Sequence, residues 1–225
     1  MDGMPDLAAL RRDIDALDGD LRALLRARAQ LVAKVAASKA QSGATGALRP
    51  VREAQQMAAL LAWQKTDGTD LTKAGLLAIW REIISMALAQ QGGLTIYATN
   101  ASLMAARAYF GASLDYVTTD AATALKACDG DGKAVAVLHL DEAQAPPRHA
   151  EVFARLPVLG PATCLCYGQT DDTASEVALA LVQRKAALDG DRVLARLADG
   201  VLVETTAPEN DMIWGHYLPL EGADA

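Results

Sequence analysis

Leu7, Leu10, Ile14, Leu17, Leu21, Leu24, Leu31 and Val35 recur at steps of three, four or seven residues. That spacing is the apolar seam of a helix, and it runs from Asp6 to about Ser42 with no proline inside it. At 1.5 Å per residue the helix is roughly 50–55 Å long. Such a helix outreaches one small core, so its seam calls for a partner chain or for pairing with itself. Gly43 and Gly46 break the pattern, and Pro50 suits the first turn of a second helix with Val51, Ala54, Met57, Leu60 and Leu61 on its apolar side. Asp67-Gly68 reads as a turn, and Thr69 or Asp70 as the cap of a third helix. Leu76, Ile79, Trp80, Ile83, Ile84, Ala87 and Leu88 form the buried stripe of that helix, and Gly92-Gly93 ends it. Residues 1–92 therefore read as an all-α, three-helix domain.

The charge changes character at the same place. Residues 1–91 hold 12 Lys+Arg against 10 Asp+Glu, whereas residues 92–225 hold 9 against 18, within a net charge of −7. An acidic chain without a basic stripe is a poor match for nucleic acid. No apolar run reaches the roughly 18–20 residues that span a bilayer. The opening Met1-Asp2-Gly3-Met4-Pro5-Asp6 has neither a basic nor an apolar leader region. Three cysteines, an odd number, make no disulfide framework. A cytoplasmic protein is expected.

From Leu94 the period shortens. Leu94–Ala98, Leu114–Thr118 and the wholly apolar Ala134–Leu140 read as strands, separated by helices at Ala101–Phe110 and Asp120–Ala127. Asp141–His149, with Pro146-Pro147, is a loop, and Ala162–Tyr167 is a further strand. Val177–Val182 is strand or helix, Asp191–Ala198 reads as a helix, and Val201–Thr205 as a strand. Alternating strands and helices predict an α/β domain over residues 93–225. Cys164 and Cys166 fall on one strand face without the further ligands a zinc site needs. Asp129-Gly130-Asp131-Gly132 lacks the glutamate of a calcium loop, Leu140 standing in its place, and is read as a turn. No metal is expected. His139 reads as a core or edge residue, and His149 and His216 show no partner in sequence.

Chemistry points to the helical part. Between Leu24 and Leu31 the seam calls for an apolar residue, and Arg28 stands there. Its guanidinium either snorkels out along its stem or waits as a buried cation for an anionic ligand. Lys39 lies three turns further on the same face, about 16 Å along the axis. Two outstretched side chains narrow that gap to a small ring compound. Arg11 is about 25 Å from Arg28 along the axis. It either joins Arg12 as a solvated charge or serves a ligand held by a second chain across a dimer.

Leu10-Arg11-x-x-Ile14-Asp15-x-x-Asp18, Leu24-Leu25-x-x-Arg28, Val35-x-x-x-Lys39, Arg49-Pro50-Val51-Arg52-Glu53-Ala54 and Ile79-Trp80-Arg81-Glu82-Ile83-Ile84-Ser85 stand in one order over about residues 5–91. Together they resemble the all-helical chorismate mutases. The resemblance implies an isomerase of aromatic amino-acid biosynthesis, in the shikimate pathway, that converts chorismate to prephenate without a cofactor. It also implies a homodimer paired through the first helix. Arg28 and Lys39 correspond to cations that hold the substrate within one subunit, and Arg11 to an arginine supplied by the neighbour. Arg52 and Glu53 correspond to an arginine–glutamate pair whose glutamate accepts from the substrate's ring hydroxyl. Gln91 corresponds to the glutamine that, with the lysine, faces the ether oxygen of the breaking bond. Ala87 stands where many members have a serine, which removes one hydrogen bond to a substrate carboxylate. The loop from Lys39 to Arg52 is about one residue longer than in the shortest members, an insertion that Ser42–Gly46 can absorb.

A pericyclic rearrangement needs no nucleophile, no proton transfer and no metal. It gains from holding a flexible dianion in its compact conformer and from donors fixed where charge develops. Arginines clamp carboxylates bidentately, and no histidine lies in residues 1–91. Glu53 also has a structural reading, as a carboxylate favoured at a helix N-terminus. Two alternatives stay open. One is a catalytically weak or inactive mutase-like protein that binds ligand or regulates; the other is an isochorismate pyruvate-lyase using the same cations. The βαβαβ opening, with Tyr109-Phe110-Gly111 and Ala134–Leu138, resembles the first lobe of prephenate dehydratases, which follow a chorismate mutase in some chains. The Thr-Arg-Phe triplet of that family is absent, and about 130 residues is short for its two lobes and regulatory domain. A degenerate lobe for ligand binding or scaffolding, without dehydratase activity, is expected.

Overall fold

The computed structural model describes residues 6–42, 48–67, 70–170, 179–206, 208, 211–218 and 220. The chain divides into two compact units, Met1–Ala44 and Thr45–Ala225. The first unit is helix α1, Leu7–Ser42, 36 residues long as the seam predicts. The residues of its apolar seam, Leu7, Leu10, Ile14, Leu17, Leu21, Leu24, Leu31 and Val35, are all exposed, Leu24 by 67%.

The second unit begins with α2 (Pro50–Thr66) and α3 (Lys73–Gln90). Pro50 opens α2, where its missing N–H is no loss. The cap of α3 is Thr72, whose hydroxyl accepts from the Gly75 N–H at 3.1 Å, so the helix starts later than a cap at Asp70 would place it. Thr69 and Gly68 lie outside the described residues, as do Gly43 to Gly46 of the expected loop insertion. Gly92 and Gly93, at φ 108° and 70°, end α3 in a conformation that side chains disfavour.

There follow β1 (Thr95–Ala98), α4 (Leu103–Phe110), β2 (Asp115–Thr118), α5 (Ala121–Gly130) and β3 (Ala134–His139). A single 3-10 turn at Leu140–Glu142 leads into the expected loop. The chain then forms β4 (Glu151–Leu156) and β5 (Cys164–Gly168). These strands make one sheet in the order β2-β1-β3-β5-β4, with β1 parallel to β2 and β3, and β5 antiparallel to both β3 and β4. β3 is central, and its apolar run Ala134–Leu138 is buried on both faces, which is why it shows no alternation.

The sheet separates two cores. Ile96, Ala98, Val135, Val137, Phe153, Leu156, Cys164 and Cys166 face α2, α3 and α4 through Met57, Leu61, Leu77, Ile84, Leu88 and Phe110. Both cysteines do share one strand face. On the other side Ala136, Leu138, Leu165 and Tyr167 pack with Leu125 and Cys128 of α5 and with a second sheet. That sheet contains β6 (Leu179–Arg184), β7 (Arg192–Leu197), β8 (Gly200–Thr205) and β9 (Met212–Tyr217), antiparallel in the order β7-β8-β6-β9. Gly215 is where β9 crosses β4: a Cβ there would lie 2.0 Å from the Val152 carbonyl oxygen, so only glycine allows the approach.

Some expectations change, and one open alternative resolves. The segment read as a helix at Asp191–Ala198 is strand β7, because it pairs with β8 through a tight Ala198-Asp199 turn, and that pairing overrides the helix propensity of Leu194-Ala195-Arg196. In the ambiguous segment at Val177–Val182 the described residues, from Leu179 onward, belong to strand β6, and residues 177 and 178 lie outside the described residues. His149, partnerless in sequence, meets Asp129, Nδ1 to Oδ1 at 3.1 Å, across 20 residues. Asp129 is also within the last turn of α5, so the expected turn at 129–132 begins only after Gly130. No helix among the described residues is long and apolar enough to cross a membrane.

Candidate active site

In the first unit, α1 places Arg28, Val32, Ala36 and Lys39 along one face, and all four are half-buried. Steps of four, four and three residues keep them in line. Partial burial lowers the Arg28 guanidinium pKa from its ordinary value by desolvation. Arg11 is exposed near the other end of the helix.

In the second unit the remaining three candidates have different fates. Arg52 and Glu53 are neighbours at the start of α2 but point apart: Arg52 is exposed and Glu53 is buried at 8% exposure. The Glu53 carboxylate accepts from Arg81 Nη1 of α3 at 3.0 Å. The Arg81 guanidinium in turn lies over the Tyr109 ring of α4, 3.7 Å from its centroid. Tyr109 is itself buried, and desolvation pushes its hydroxyl pKa well up. A buried carboxylate held this way is compensated within the fold. Gln91 caps α3, and its side-chain amide donates back to the Ala87 carbonyl at 3.1 Å. Ala87 is buried.

The structure thus brings Arg28 and Lys39 together on one helix face, and brings Glu53 to Arg81 rather than to Arg52. Residues 10–92 match the family model of chorismate mutase type II. No curated protein and no solved structure matches the chain. The chorismate mutase match takes in α1, α2 and α3 and stops before β1. It therefore crosses the boundary between the two compact units, since α2 and α3 share their core with the α/β elements.

Arg81 and Tyr109 are the residues that sequence reasoning missed. The signal for Arg81 was present: Leu77, Arg81, Ile84 and Leu88 follow helical spacing, so a cation stands on the buried stripe of α3 as Arg28 does on the α1 seam. Within the matched segment, cations and amides are the chemistry on offer. Arg11, Arg28, Lys39 and Arg52 carry cationic groups of the kind that bind carboxylates, and Lys39 and Gln91 each carry an N–H donor.

Proposed function

We propose that the protein is a cofactor-free chorismate mutase that rearranges chorismate to prephenate. The observation that carries this reading is the pairing of Arg28 and Lys39 on one half-buried face of α1, inside a segment that matches the mutase family model. Arg28 clamps a substrate carboxylate, and Lys39 with Gln91 donates to the ether oxygen as its bond to carbon breaks. Donors fixed there stabilise the transition state more than the ground state. The exposed seam of α1 supports a homodimer in which Arg11 of one chain completes the site of the other. The expected setting is the cytoplasm and the shikimate pathway. The βαβαβ opening of residues 93–225 supports its reading as a degenerate dehydratase-like lobe that binds ligand or scaffolds.

A second reading, chorismate binding without appreciable turnover, is favoured by Glu53. Its carboxylate is already paired with Arg81 inside the core, which leaves less of it for a substrate hydroxyl. Chromatographic product analysis after incubation with chorismate and, separately, with isochorismate distinguishes the readings. Prephenate from chorismate supports the mutase. Pyruvate released from isochorismate supports the lyase, and unchanged but bound chorismate supports the binding protein.

A further inference from the structure

Arg81 does more than hold Glu53. It also forms part of the wall of a cavity of about 310 Å³ between α3, α4 and the loop that follows β4. That volume is at the low end of small-molecule sites, about 300–1,000 Å³. Buried Leu77 and Leu156 make an apolar floor, and exposed Ala78 and Ala108 lie at the mouth, where their small side chains leave it open. Arg81 and Tyr109 are the lining residues with polar side-chain groups.

The hydrogen-bonding account of Arg81 is incomplete. Nη1 donates to Glu53 and the guanidinium face covers Tyr109, but Nε is buried with no partner among the described residues. An orphaned buried donor is unfavourable, so such groups mark sites that a ligand can complete. We propose that this cavity binds a small, uncharged, mostly apolar molecule with one acceptor oxygen, of the ketone or ester class, which accepts from Arg81. The Nε atom is shielded from water, so binding includes a slight turn of the guanidinium toward the cavity. Apolar walls select an apolar body. Glu53 already neutralises Arg81, so a carboxylate ligand meets no net positive charge while losing its hydration. The site lies wholly within the second unit and does not depend on mutase activity.

Three matched probes test this on the full chain: 4-phenylbutan-2-one, n-butylbenzene and 3-phenylpropanoate, titrated by calorimetry and ligand-observed NMR. The ketone is expected to bind roughly 3- to 10-fold more tightly than the hydrocarbon, the margin of one hydrogen bond, and the carboxylate more weakly than either. Ala108→Phe, at an exposed helix position that tolerates bulk, is expected to abolish binding of both uncharged probes. Arg81→Lys keeps the charge for Glu53 and is expected to remove only the ketone's advantage. No binding of any probe, equal binding of ketone and hydrocarbon, preference for the carboxylate, or full binding to Ala108→Phe would each overturn the proposal.

Discussion

Glu53 and Arg81, 28 residues apart in sequence, meet at 3.0 Å as a buried ion pair that ties α2 to α3. The Tyr109 ring beneath the guanidinium extends the tie to α4. Three helices, two of them in the mutase-type segment and one in the α/β part, thus share a single electrostatic joint.

Removing one member of this pair strands the other in the core. Arg81→Met is expected to destabilise the second unit by about 3–5 kcal/mol, the usual penalty for an uncompensated buried charge. Arg81→Met combined with Glu53→Gln should recover much of that loss, because neither charge then remains. Urea unfolding of both variants measures the difference. A single variant no less stable than the double would mean that the pair is not buried as described.

The exposed α1 seam and the distance of Arg11 from Arg28 predict sites shared across a dimer. Arg11→Ala and Arg28→Ala chains are each expected to be nearly inactive. Mixed and refolded in equal amounts, they should regain about a quarter of wild-type turnover, since half the dimers are mixed and each carries one intact site. No recovery in the mixture would place Arg11 within its own chain's site or outside any site. Leu17→Asp, in mid-seam, is expected to shift the protein to monomer in sedimentation and to lower turnover with it.

Long periodic signals in the sequence survived folding because they depend on local geometry. The α1 seam, the Pro50 start of α2, the Gly92-Gly93 stop and the βαβαβ order all follow from spacing within one element. What was illegible depends on distant partners. Leu194-Ala195-Arg196 has the composition of a helix and becomes β7 through its pairing with Val201 and Leu202. The β4 and β9 strands went unread because Glu151–Leu156 carries a bulge between Val152 and Ala154, and Met212–Tyr217 interrupts its apolar run with Gly215. For Glu53 the sequence offers a substrate acceptor by resemblance or a helix-start carboxylate by position, whereas its partner lies on another helix.

The N-cap of α5 carries a pH dependence. Asp120 accepts from the Thr123 N–H at 2.9 Å and from its hydroxyl at 2.8 Å, and these bonds, the backbone one foremost, lower the carboxyl pKa in the fold. A folded pKa below the unfolded value of about 3.9 means that the charge contributes stability above that value. The contribution is lost as pH falls through the lower, folded pKa. Thermal melts of wild type and Asp120→Asn should therefore differ at neutral pH and converge in strong acid. A constant difference across that range would contradict the assignment.

In the proposed mechanism Arg28 and Lys39, on one face of α1, perform the chemistry. Steady-state turnover of chorismate by Lys39→Ala and Arg28→Ala, with far-ultraviolet circular dichroism to verify the helices, tests it most directly. The expected result is a loss of about 100- to 1,000-fold in kcat/KM, the scale for removing one donor from a preorganised site, with an unchanged helical spectrum. Wild-type turnover in either variant would contradict the claim.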